Sequence, residues 1–226
     1  MDDQLNFPEI ISKILVLYVF WNVLKLEPHL MNYKESVRFN VYRSLMCLTF
    51  TLLSLRNSIL YLGKGYSKPF TFHLPDLDEI HDLFCAYIIF DIIKLLSEGN
   101  KRFDLYIHHV WCLVSFLISK YYGYCGFFHS FLLFNEIISV VSGLDSMAME
   151  DGNSVESMKY KKVRKYIIKY VRLPIWIILF MFMVKYTNRM PKVLWWNGIL
   201  TTILMIWLDR YWEKKCDKVI NKYKNK

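Results

Sequence analysis

The chain has 226 residues, of which 54% are hydrophobic, and its mean hydropathy is +0.21. This composition is too apolar for an ordinary soluble domain of that length and is typical of a protein that crosses a membrane several times. Lys and Arg outnumber Asp and Glu by 29 to 20, but the basic residues lie between apolar blocks and near the C-terminus. That placement favours anionic lipid headgroups, rather than nucleic acid, as the partner of the basic residues.

Seven stretches come close to the length of about 20 mainly apolar residues that a helix needs to cross a bilayer. The first is the weakest, because Lys13, Asn22 and Lys25 interrupt it. The sequence therefore predicts an all-α, multi-pass transmembrane helix bundle of six to seven spans around a central cavity. We divide it into an N-terminal segment with the first span (1–33), a transmembrane domain (34–215) and a basic cytosolic tail (216–226). The predicted spans are 9–26, 41–62, 83–99, 103–120, 126–144, 170–187 and 193–210.

The distribution of basic residues predicts the orientation of these spans. Of the 29 Lys and Arg residues, 20 lie on the side of the 145–169 connection and the C-terminal tail, and 7 lie on the other side. Because basic residues concentrate on the cytosolic side, we expect the C-terminus to be cytosolic. Lys222 and Lys224 in the final "KYKNK" are spaced like a dilysine retrieval signal, which favours the endoplasmic reticulum. The alternative is that the tail is only a basic segment that faces lipid.

Several ionisable residues fall inside the predicted spans, where each one costs about 2.5–3.5 kcal/mol on insertion and normally faces the bundle interior. Counted at about 1.5 Å per residue, three spans place polar groups about 8–12 Å inside the cytosolic half. We therefore expect these groups to meet in one cavity. They are Asp91, His108, His109, Glu136 and Ser139.

The segment "FDLYIHHVW" (103–111) holds two adjacent histidines. Asp104 and His108 are four residues apart on one helix face, so the carboxylate is expected to orient the imidazole. His109 points about 100° away, so the pair is poorly placed to grip one metal ion, and we predict neither a metal site nor a cofactor. Two interpretations stay open. The histidines and carboxylates form either a general base or polar clamp, or hydrogen bonds that hold the helices together.

Five segments resemble the TLC-domain family, which includes ceramide synthases, translocation-associated membrane proteins and TLC-domain-containing regulators of membrane lipids. They are "YIIFD" (87–91), "DLYIHHVW" (104–111), "NEIIS" (135–139), "VRLP" (171–174) and "LDRYW" (208–212), and the resemblance covers roughly residues 34–215. It implies a helix bundle around a cavity open to the cytosol. It also implies a lipid-binding set in which the family's conserved residues fall on Asp91, His108, His109, Glu136, Ser139 and Arg172, beside Asp104.

The chain departs from the family at informative positions. Val140 and Val141 stand where the family usually has Thr-Pro, and Asp209 stands where Asn is common. His129 and Leu132 occupy the positions of two aspartates of the ceramide synthases. The resemblance is therefore closer to members that are not synthases.

Three functional hypotheses follow. The first is a membrane protein that binds or senses lipid and affects membrane lipid composition. The second is a fatty-acyl transferase in which His108 or His109 is the catalytic base and acyl-CoA meets the basic 159–172 segment. The third is a structural partner in protein translocation, which intramembrane charges disfavour because apolar packing needs none.

Overall fold

A computed structural model describes residues 7–60, 76–122 and 126–224, and that part of the chain is α-helical without strands. The predicted all-α fold is therefore confirmed for these residues. The α-helices are α1 (Phe7–Lys25), α2 (Pro28–Met31), α3 (Glu35–Leu60), α4 (Asp76–Ser97), α5 (Phe103–Tyr122), α6 (Gly126–Phe134), α7 (Ile137–Glu150), α8 (Ser154–Ile167), α9 (Leu173–Lys185) and α10 (Lys192–Lys224). The 61–75 connection, where we had predicted the end of the second span, lies outside the described residues.

Local chemistry explains where several helices begin and end. The Glu27 carboxylate accepts from the Leu30 amide at 3.0 Å and caps α2, and Asn153 accepts from the Glu156 amide at 3.1 Å and caps α8. Gly152 has a φ of +69° directly after α7, a conformation that glycine adopts without steric cost. These signals fix the tight turn between α7 and α8.

The predicted fifth span, 126–144, is broken in the structure. A turn at Asn135 and Glu136 separates α6 from α7 and directs both side chains into the bundle. A π-helical turn, Ile168–Arg172, similarly separates α8 from α9. Pro174 follows it and cannot donate a backbone hydrogen bond to the preceding turn, which favours such a widening. Both irregularities lie beside the polar interior, where π turns commonly mark functional sites.

The helices form one packed bundle. α3 packs mainly against α7 and α6, α1 against α4, and α10 against α5, α8 and α9. At the crossing of α3 and α7, a Cβ atom on Gly143 would lie 2.4 Å from Ser44 Oγ and 2.9 Å from the Asn40 carbonyl oxygen. Ser44 Oγ accepts from the Gly143 amide at 2.9 Å. Only glycine permits this close approach of the two helices.

The bundle buries several charged side chains within its core and exposes many apolar side chains. Asp91, Arg172 and Asp209 are at most 1% exposed, whereas Leu15 and Leu52 are 60% and 58% exposed. Large exposed apolar side chains also lie on α9 and α10. A soluble protein of this size rarely exposes so much contiguous apolar surface.

Two helical stretches, Phe128–Glu150 and Ser154–Lys185, are long and apolar enough to cross a membrane among the residues that the structure describes. The core helix of a soluble protein can have the same length and composition, but it is mostly buried. Here only 39% and 33% of the most apolar part of these two stretches is buried. Six or seven spans are not confirmed by this property and stay a prediction.

Candidate functional site

The two adjacent histidines of α5 face different carboxylates. His109 Nε2 lies 2.6 Å from Asp91 Oδ2 on α4, at ion-pair distance but out of line for a hydrogen bond. His108 Nε2 lies 3.6 Å from Glu136 Oε1 in the turn between α6 and α7. Successive helix positions point about 100° apart, so the two imidazoles contact different carboxylates. The structure brings these four residues together as predicted, but Asp91 is buried behind His109 and lines neither of the two cavities described below.

Asp91 lies at the centre of a three-helix contact. Its carboxylate is 0% exposed and accepts at 2.7 Å from Arg43 Nε on α3. Arg43 also donates from Nη1 to the Asn40 side chain at 2.9 Å. Burying a carboxylate is costly unless opposite charge and hydrogen bonds compensate. Arg43 and His109 supply that compensation and join α3, α4 and α5.

Glu136 lies at the centre of a second contact. Ser139 Oγ donates to Glu136 Oε2 at 3.5 Å, and Cys47 Sγ lies 3.7 Å from the same oxygen. The second ring nitrogen of His108, Nδ1, lies 3.7 Å from Cys112 Sγ, one turn further along α5. A carboxylate on one ring nitrogen orients the imidazole, so this unit resembles the histidine–carboxylate pair of a general base.

Arg172, the last residue of the π turn, bonds to two other segments inside the bundle. Its Nε donates to Asp209 Oδ1 at 2.9 Å, and its Nη1 donates to the Asn135 backbone carbonyl. Trp176 Nε1 donates to Asp209 Oδ2 at 2.8 Å. Arg172 also lies 5.7 Å from the ring centroids of Trp176 and Trp212. Asp209, the departure from the family pattern, is thus the counter-ion of Arg172.

Asp104 has partners other than the one we expected. Its carboxylate accepts from Arg102 Nη2 at 2.6 Å, from Trp212 Nε1 at 2.8 Å and from Lys215 Nζ at 3.3 Å. His108 contacts it only indirectly, because the Trp212 ring packs edge-on against the imidazole with centroids 5.6 Å apart. The charged groups at the end of the bundle outcompete the intrahelical contact that spacing alone suggested.

These groups line two adjacent cavities that share three lining residues. The polar chamber, about 70 Å³, is lined by residues of α3, α4, α5, α7, α8 and α10 and includes Arg43, His109 and Ser139. The inner cavity, about 20 Å³, is mostly apolar and includes Phe116, Leu132 and Met205. His108, Glu136 and Arg172 line both cavities and separate a polar compartment from an apolar one.

The Asn135 amide is one of several buried polar groups without a hydrogen-bond partner among the described residues, and it lines the inner cavity. Asn135 is 1% exposed, and neither Oδ1 nor Nδ2 has a hydrogen-bond partner in that part of the chain. Buried amides in native proteins are nearly always hydrogen-bonded. An unpartnered amide that faces a cavity therefore indicates a ligand or water with both donor and acceptor groups.

Sequence reasoning missed Arg43, Asn135 and Trp212. Arg43 lies at the start of the predicted span 41–62, and its long side chain reaches Asp91. Asn135 directly precedes Glu136 in the quoted "NEIIS" segment, and that adjacency was the available signal. Trp212 ends the quoted "LDRYW" segment, and it is 6% exposed.

The site can bind polar groups or move a proton, and it pairs a polar compartment with an apolar one. No group of three or more His, Cys, Asp or Glu side chains suited to a metal ion occurs within 7–60, 76–122 and 126–224. Comparison with known proteins found no matching family model, curated protein or solved structure. The resemblance to the TLC domain therefore depends on the five quoted segments alone.

Proposed function

We propose that the chain is a multi-pass membrane protein of the TLC-domain type that holds a lipid in its helix bundle and thereby affects membrane lipid composition. The observation that carries this proposal is the pair of adjacent cavities, one lined mainly by polar residues and one mostly apolar, with the unpartnered Asn135 amide on the apolar one. A molecule with a polar head and an apolar chain has the matching distribution of chemistry.

The apolar exterior supports placement in a bilayer. Side chains such as Leu15, Leu52 and Ile203 are more than half exposed, while the charged Asp91 and Asp209 are buried. Lipid is the solvent in which that arrangement is favourable. We place the protein in the endoplasmic reticulum with its C-terminus cytosolic, on the basis of the basic-residue asymmetry and the lysine-rich tail.

A fatty-acyl transferase is the second candidate, and the His108–Glu136 contact favours it. His108 would take the proton from an amine or hydroxyl as that group attacks the thioester carbonyl of acyl-CoA. The carbon–sulfur bond would then break, and the coenzyme A thiolate would leave. Against this activity, Leu132 supplies no carboxylate to the inner cavity. His129 bonds His81 at 3.0 Å and stacks on Phe116, outside the polar chamber.

Mass spectrometry of lipids that co-purify with the full chain in mild detergent tests the proposal. We expect a specific lipid to co-purify with the wild-type protein and to be lost from the His108→Ala and His109→Ala variants. His129→Ala is the matched control, because His129 is equally buried but lies outside the polar chamber. Retention of the same lipid by both chamber variants would leave the histidines as contacts between helices only.

Turnover separates the two candidates. A transferase requires that His108→Ala abolish acyl transfer while lipid binding persists. A binding protein requires that binding itself be lost. An acyl-CoA or an acylated amine among the co-purified molecules would favour the enzyme, whereas bulk phospholipid alone would count against it.

A further inference from the structure

A third cavity, about 340 Å³, opens where α5 begins and where α8 and α10 pack together. None of its eight lining residues is acidic, and five of them are cations. We call this cavity the basic mouth. The five cations are Arg102, Lys161, Arg164, Lys215 and Lys218.

Two carboxylates only partly neutralise these cations. Asp104 is shared by Arg102 and Lys215, at 2.6 and 3.3 Å. Asp145 is similarly shared by Lys161 and by Arg164, whose Nη1 is 3.8 Å away. Lys218 forms no ion pair with the part of the chain that the structure describes, and the buried Nε of Arg164 has no hydrogen-bond partner there. The basic mouth therefore has positive charge and a directed N–H group that an anion would satisfy.

The basic mouth adjoins the polar chamber. It shares Arg102, Arg164 and Trp212 with that chamber, which in turn shares three lining residues with the inner cavity. A molecule with its charged end among the cations would therefore have its less polar remainder on the side of the inner cavity.

We propose that the basic mouth binds a phosphate group, and that the ligand of the bundle is an amphiphile with a phosphate at its polar end. This inference rests on the proposed lipid-binding function and names the chemistry of the ligand. A phosphate monoester offers up to two charges and three acceptor oxygens, which suits a cavity whose five cations share only two carboxylates. Arginine binds phosphate in a planar, two-pronged geometry, and lysine adds point charges. The phosphate can belong to a lipid headgroup or to a soluble phosphate compound.

Binding of three probes to the purified full chain in mild detergent tests the proposal. The probes are dioctanoyl phosphatidic acid, dioctanoylglycerol, which has the same chains without the phosphate, and inorganic pyrophosphate. We expect the wild-type protein to bind the phosphatidic acid at least about tenfold more tightly than the glycerol lipid. Competition by pyrophosphate would support a site that also accepts soluble phosphate compounds, and its failure to compete would support a site that reads phosphate on a lipid.

Two double variants of α10 carry the same change in charge. Lys215→Gln with Lys218→Gln removes two cations of the basic mouth. Lys214→Gln with Lys222→Gln removes two exposed cations outside it. We expect the first double variant to bind phosphatidic acid about tenfold more weakly and the second to bind it like the wild type.

The outcomes separate this inference from the function on which it rests. Equal affinity of the wild type for the two lipids, or equal weakening in the two double variants, would overturn the phosphate site and leave lipid binding standing. Failure of the wild type to bind either lipid would overturn both proposals.

Discussion

Removing one partner of the Arg172–Asp209 ion pair should strongly destabilise the bundle. Both side chains are 1% exposed, and Arg172 Nη2 lies 2.9 Å from Asp209 Oδ1. Breaking a buried pair leaves an uncompensated charge and costs about 3–5 kcal/mol. For a chain of this length, that loss corresponds to a fall in melting temperature of about 6–20 °C. The change to make is Arg172→Gln, with thermal unfolding followed by circular dichroism in mild detergent.

A double-variant cycle shows whether the loss of stability comes from the ion pair. Asp209→Asn keeps an acceptor for Trp176 Nε1 but leaves Arg172 without a counter-ion, so it should cost a similar amount. The double variant contains neither charge and should cost clearly less than the sum of the two single changes. Arg210→Gln is the matched control, because Arg210 is 51% exposed in its pair with Glu213 and should contribute at most about 1 kcal/mol. A fall for Arg172→Gln no larger than for that control, or additive single changes, would refute the reasoning.

Three further predictions follow from the packing, the cavity and the charge distribution. Gly143→Ala should lower the melting temperature by several degrees because Ser44 and a backbone carbonyl block the new methyl group, whereas Gly198→Ala should be mild because it meets only the flexible Met183 side chain. Equal losses in the two variants would contradict this account of the α3–α7 crossing. Asn135→Leu should leave stability unchanged or raise it by about 1–3 kcal/mol, since it removes an unpartnered buried amide, yet it should weaken lipid co-purification; undiminished lipid would argue against a ligand there. Glycosylation acceptors placed in the 145–160 connection should stay unmodified and those in an extended 63–75 connection should be modified; the reverse pattern would invert the proposed orientation.

The meeting of Asp91, His109, His108 and Glu136 could be predicted because it depends on two regular quantities. One is the rise per residue of a helix, which gives the depth of each side chain along its span. The other is the cost of a charge in an apolar setting, which favours charged side chains that face the bundle interior. Both apply whatever the details of packing. The prediction therefore located these side chains at one level without any knowledge of neighbouring helices.

The partners of these side chains depend on details that periodicity does not contain. Arg43 reaches Asp91 because α3 and α4 are close at that level, and Asp104 meets Trp212 because α10 continues as a helix well beyond the predicted end at residue 210. In that extension Trp212, Cys216 and Ile220 are buried at helical spacing. Hydropathy shows where a continuously apolar run ends. A helix can continue past that point when only one of its faces is apolar and packs against the bundle.

The break at Asn135 and Glu136 was similarly invisible to hydropathy. Residues 126–144 form one apolar run in the sequence, and nothing in their composition marks the turn. The turn directs Glu136 towards His108 and presents the Asn135 carbonyl to Arg172. The position of the turn depends on tertiary contacts. In a continuous helix the Asn135 carbonyl would accept from a backbone amide of the same helix, whereas here it accepts from the buried Arg172.

The buried polar residues have two interpretations: a general base or polar clamp, and hydrogen bonds that hold the helices together. Whether a group has a partner within the protein indicates which interpretation applies to it. Asp91 with Arg43 and His109, and Asp209 with Arg172, are matched across helices, and holding the bundle together accounts for them. The Asn135 amide has no such match in the described chain, and the five cations of the basic mouth share two carboxylates. Burying unmatched polar groups lowers stability and gains nothing for the fold itself. A ligand is therefore best sought between these two places, and His108 and Glu136 lie on the route that joins them.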